Sequence, residues 1–142
     1  FGCRGGWVYA LRASDGALSW KFNDLPDKRL ISARGQLESA WPVSGSVLVH
    51  QGVAYFAAGR QTFIDGGIVL YGLDPRTGEV LHRRQANGPY DEQGFPRIRQ
   101  LTGIPQIEGF KSGIFSTENG LLYLRQQAFR PDLSPVSMED LK

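Results

Sequence analysis

The side chains that could do chemistry in this chain stand outside its apolar runs. Glu38 and Asp65 occupy two separate polar stretches, and paired carboxylates can serve as general acid and base where a fold brings them together. Arg29, Arg34, Arg60 and Arg97 lie in the same kind of long, charged connection, where binding residues concentrate. Trp41 is the aromatic candidate, with the alternative that Trp41-Pro42 plugs the junction between units, as Arg60 and Asp65 have the alternative of pairing across their own loop. These seven residues form the candidate binding face. Other reactive types are poorly placed for catalysis. His50 and His82 lack metal-ligand spacing and fall in strand-like runs. Ser44 and Ser46 have no His or Asp partner in a nucleophile-elbow context, and Gly66-Gly67 makes no phosphate loop. Cys3 is the single cysteine, so it forms no internal disulfide and reads as a small apolar residue near a strand start. The expectation is a scaffold with a working face.

What positions these residues is a repeated strand-turn-strand unit. Residues 68–84 (IVLYGLDPRTGEVLHRR) hold an apolar run, an Asp-Pro-Arg-Thr-Gly turn and a more polar run. Residues 8–20 (VYALRASDGALSW) lay onto them without a gap. Tyr9 falls on Tyr71, Leu11 on Leu73 and Gly16 on Gly78, at a constant spacing of 62 residues. The second repeat is a hairpin. Residues 47–58 hold two nearly continuous apolar runs about Gln51-Gly52, which predicts strands covered on both faces. Residues 113–125 repeat it, with Gly120 on Gly52 and Tyr123 on Tyr55, 68 residues on.

The chain thus reads as a half unit (7–22), a whole four-stranded unit (44–84), and another half unit (111–126). Residues 127–142 show only a weak turn-and-linker pattern. The first two strands have no visible partner upstream. Four-stranded antiparallel sheets that restart in register predict an all-β fold, a partial β-propeller, with a two-layer sandwich as the structural alternative. In such a meander the tight turns leave one end. The connections 23–43, 59–67 and 85–110, in which no regular period is visible, leave the other, and binding residues concentrate on loops of that kind.

Composition narrows the function classes. Hydrophobic residues make up 41% and charged residues 21% of 142, which fits one globular domain. The 18 Gly and 8 Pro fall between short apolar runs, as in turn-rich all-β chains. A net charge of +2, with arginine scattered along the sequence, does not predict nucleic acid as a partner. No apolar run reaches the roughly 18 residues of a membrane span. The first residues show no basic segment followed by an apolar one, so no signal peptide is expected in them.

The unit at 71–81 (YGLDPRTGEVL) resembles the blade repeat of pyrroloquinoline-quinone-type (PQQ-like) β-propellers, whose motif runs apolar-Tyr-Ala-Leu-Asp-x-x-Thr-Gly-x-x-x-Trp. The first copy keeps Tyr9, Ala10, Leu11, Gly16 and Trp20 but has Arg12 and Asp15 at the Asp and Thr positions. The later copy keeps Tyr71, Leu73, Asp74, Thr77 and Gly78, with His82 at the Trp position. Stretches such as GQLESAWPVSGSVLV resemble large bacterial proteins carrying such propellers, and the resemblance extends over roughly residues 5–126. It implies that Tyr9, Gly16, Trp20, Tyr71, Asp74, Thr77 and Gly78 are structural, and that Trp20 docks over the Gly78 turn of the next blade. His82 is too small for that role, so its junction should be looser or filled by another side chain. The resemblance also implies a bacterial periplasmic or envelope location. Partners would be the other blades of the parent chain and a protein or glycan ligand. Quinoproteins of this fold hold quinone and calcium with an acidic and amide cluster near paired cysteines, a set this sequence does not show, so no cofactor is expected. The alternative is part of a quinoprotein-type oxidoreductase whose cofactor site lies mainly outside this segment.

Overall fold

A computed structural model describes residues 1–88, 111–136 and 141, with the backbone of 98–101 and 104–107. The described residues form antiparallel sheets of two or four strands and no helix. None of them belongs to a helix long and apolar enough to cross a membrane.

The first unit is a hairpin of β1 (Val8–Leu11) and β2 (Leu18–Phe22). The second is a four-stranded meander of β5 (Leu48–His50), β6 (Val53–Ala58), β7 (Ile68–Leu73) and β8 (Val80–Ala86). The 62-residue correspondence holds pair by pair. Val8 faces Phe22 as Leu70 faces Arg84, and Ala10 faces Trp20 as Gly72 faces His82. Even the irregularity recurs, between Ala10 and Leu11 and between Gly72 and Leu73. The turns match too. Gly16 N–H donates to Arg12 O and Gly78 N–H to Asp74 O, each at 2.8 Å, and both glycines take the left-handed conformation (φ 74° and 77°) that a Cβ disfavours. In the second copy Asp74 accepts from Arg76 N–H and Thr77 Oγ1 from Glu79 N–H. The first copy keeps the shape with different chemistry. Arg12 pairs with Asp15 at 2.6 Å, and Asp15 accepts from Ala17 N–H. The Arg12 guanidinium holds the Asp15 carboxyl below its ordinary range.

Two clusters of apolar side chains glue the units together. Residues of β6 and β7 divide between them by the period-two alternation of a strand. Phe56, Ala58, Val69, Tyr71 and Leu73 meet Val8 and Phe22 of the first unit. Tyr55, Ala57, Ile68 and Leu70 meet Phe115, Leu122, Leu124 and Phe129 of the third. These two strands are covered on both faces, as their continuous apolar runs predict. β5 departs from that expectation: Val49 is 63% exposed, and no neighbouring unit covers that position among the described residues. In the first cluster the rings of Phe22, Phe56 and Tyr71 lie 5.1–5.6 Å apart, and each side chain so buried contributes roughly 1.5–3 kcal/mol. Burial raises the phenol pKa of Tyr71, whose hydroxyl donates to Asp24 O at 2.8 Å across the junction.

Three segments carry more structure than the sequence suggests. Residues 23–43 contain a hairpin of β3 (Leu30–Ala33) and β4 (Gln36–Ser39). Its two strands are four residues each, too short to show a period, and Leu30 and Leu37 both point into solvent. The connection 85–110 likewise holds a hairpin, β9 (Ile98–Leu101) with β10 (Ile104–Ile107). The third unit is also fuller. β11 (Phe115–Glu118) and β12 (Leu121–Leu124) continue into β13 (Gln127–Phe129) and β14 (Pro135–Val136), giving a second four-stranded sheet. Residues 127–136, expected to be tail or linker, therefore belong to that unit. Ala128, Phe129 and Leu133 anchor them by burial.

The first unit also has an upstream partner. Phe1 and Tyr9 exchange both backbone hydrogen bonds at 2.8 Å, and Gly2 pairs with Val8. Phe1 thereby stands to Tyr9 as Phe56 stands to Tyr71. Too few residues precede Tyr9 for this strand to register as a pattern.

Candidate functional site

Docking of Trp20 fixes how the first two units meet. A Cβ on Gly78 would lie 2.8 Å from the indole, and Trp20 Nε1–H donates to Pro75 O at 2.9 Å. The second junction uses other groups. Tyr55 Oη–H donates to Pro131 O at 2.8 Å, and Leu133, fully buried, occupies the left-handed turn position (φ 65°). Asp132 of this turn accepts from Ser134 N–H and Oγ–H, which hold its carboxyl below the ordinary range. Leu133 joins Tyr55, Ile68 and Leu70 in the apolar cluster at this junction.

Within the described residues, the connections 23–43 and 59–67 meet, and four arginines gather there. The loop 59–67 is held by Asp65, which forms ion pairs with Arg60 and, at 3.4 Å, with Arg29. Arg29 also lies 3.8 Å from Asp27, whose carboxyl is held below its ordinary range chiefly by the Arg29 N–H. Glu38, on β4, pairs with Arg4 at 3.2 Å. Arg34 sits exposed at the β3–β4 turn with φ 52°. Gln85 Nε2 donates to Gly66 O, so the loop is tied to β8 as well.

Of the seven candidates, Arg29, Arg34, Glu38, Arg60 and Asp65 come together at this end. Trp41 does not serve there as a contact surface. It is 2% exposed, with Gly66 lying on its ring, so it forms the floor beneath the loop and not a face for a ligand. A Trp in a polar stretch looks like a binding residue until the loop that covers it is placed. Arg97 lies outside the described residues. Glu38 and Asp65 are each engaged by arginine, Glu38 by Arg4 and Asp65 by Arg29 and Arg60.

Arg4 is the residue that sequence reasoning missed. It follows the Phe1–Gly2 ladder and Arg60 follows β6, so each of the first two units brings an arginine to this end. Arg4, Arg34, Arg60 and Glu38 line one open cleft of about 470 Å³ at the seam of the first two units. Ser44, Gly2 and Cys3 are also among its lining, with the apolar Pro42 and Val43.

No protein-family model and no curated protein matches this chain. The described carboxylates at this end are bound up with guanidinium groups, and no three His, Cys, Asp or Glu side chains among the described residues form a metal-holding group. These residues do not fit a calcium-and-quinone set.

Proposed function

We propose that the chain is a non-catalytic segment of a PQQ-like β-propeller that serves as scaffold and binding module in the bacterial cell envelope. Its units stack face to face, and its long-loop end carries the ligand, a protein or a glycan. One observation supports this most. The outer face of the first unit has the geometry of a face that is covered elsewhere in the molecule. Phe1 stacks on Tyr9 at 5.4 Å, as Phe56 stacks on Tyr71 at 5.2 Å. The second pair is capped by Phe22, and Trp20 lies over the neighbouring Gly78. Around Gly16, the counterpart of Gly78, the space is open. Another sheet of the same kind, bringing an aromatic over Gly16, would continue the series.

Hydrogen exchange tests this on the full-length gene product and on the 142-residue chain. Stacking protects the amides of β1 and of residues 12–16 in the former, and equal exchange in both would overturn it. No dye-linked oxidation is expected when quinone and calcium are added to the full-length product. Oxidation would replace the scaffold reading with the oxidoreductase one.

A further inference from the structure

We infer that the cleft at the seam of the first two units is a site for a small oxyanion-bearing ligand, a carboxylate or sulfate carried on a hydroxylated body such as an acidic sugar. This rests on reading the long-loop end as the binding end. The three guanidinium groups that line the cleft come from separate pieces of chain: Arg4 after the first ladder, Arg34 on the β3–β4 turn, Arg60 at the head of the 59–67 loop. The one carboxylate lining it is Glu38, whose side chain is only 12% exposed. Counting Asp65, which stands behind Arg60, the group still carries an excess of positive charge.

The anchors matter as much as the charge. Arg4 reaches Glu38 through Nη1, and Arg60 reaches Asp65 through Nη2. Each contact engages one terminal nitrogen, and the other edge of the fork has no partner among the described residues. A guanidinium already fixed loses little side-chain entropy when a ligand arrives, and its paired N–H groups match the oxygens of a carboxylate or sulfate. Arg34 has no hydrogen bond or ion pair among the described residues. It is the donor with most to gain.

Size sets the rest of the ligand. A cleft of about 470 Å³ falls among small-molecule sites and exceeds what a bare inorganic ion needs. Ser44 offers a hydroxyl to a polar body. Three clustered arginines without a stripe of further cations suit one anionic group better than a polyanion.

The test is an NMR titration of the 142-residue chain at low salt with glucuronate, glucuronamide and inorganic sulfate. Glucuronate is expected to shift the amide signals of Arg4, Arg34 and Arg60, sulfate to shift the same signals with weaker affinity, and glucuronamide to leave them in place. Arg34→Asn, which tolerates a left-handed backbone, should weaken glucuronate about tenfold, as should Arg4→Gln. Circular dichroism of each variant verifies folding, and added salt should weaken binding. Equal shifts with glucuronamide, no shift with either anion, or unchanged affinity in both folded variants would overturn the site. Sulfate binding as tightly as glucuronate would overturn the hydroxylated body. Loss of this site with β1 still protected in the full-length product would leave unit stacking standing.

Discussion

At the junction of the first and second units the incoming strand supplies the bulk and the turn makes room: Trp20 lies over Gly78 and bonds to Pro75 O. At the junction of the second and third, the matching strand position holds the smaller His82, and the next turn holds Leu133 in the left-handed position. A phenol from β6, Tyr55, takes over the bond to the turn's proline carbonyl. What persists is a proline carbonyl with a donor from the preceding sheet, and enough apolar volume between the sheets. Which side contributes that volume is free to change.

Several substitutions break or sharpen this contrast, read by urea denaturation. Beneath the first junction Trp41 is wholly buried, so Trp41→Ala should cost about 4 kcal/mol, with no specific effect on a ligand at the cleft. Trp20 is half-buried, which puts Trp20→Ala at the lower end of tryptophan truncations, about 3 kcal/mol. If the second junction draws its bulk from the turn, Leu133→Ala should cost about 2–3 kcal/mol despite lying in a segment that reads as linker. A cost near zero would show that Leu133 is not a junction residue.

The contrast also explains what the sequence made legible. Gly16, Gly78, Tyr9 and Tyr71 advertise the hairpin because turn geometry demands glycine and both copies keep it. The turn at 130–134 escapes notice because Leu replaces the glycine and the strands beside it are three and two residues long. Burial of Leu133 against a neighbouring sheet, a non-local effect, holds that segment, and no local propensity reports it. The same limit applies at the candidate site. The gathering of Arg29, Arg34 and Arg60 follows from loop topology and was readable. The burial of Trp41 and the arrival of Arg4 depend on which loop covers which, and a one-dimensional reading has no access to that.

The smallest expected effects concern the two glycines. At either position alanine must take a positive φ, which costs about 1 kcal/mol. At Gly16 nothing else stands in the way, while at Gly78 the new methyl also meets the indole of Trp20, for a total of about 2 kcal/mol.

A double-mutant cycle between Trp20→Ala and Gly78→Ala therefore tests unit stacking most directly. With the indole removed, Gly78→Ala should fall to about 1 kcal/mol, the cost of Gly16→Ala in the otherwise native chain. An unchanged cost of Gly78→Ala in the two backgrounds would mean that Trp20 does not rest on that turn, and the stacked-unit account would fail.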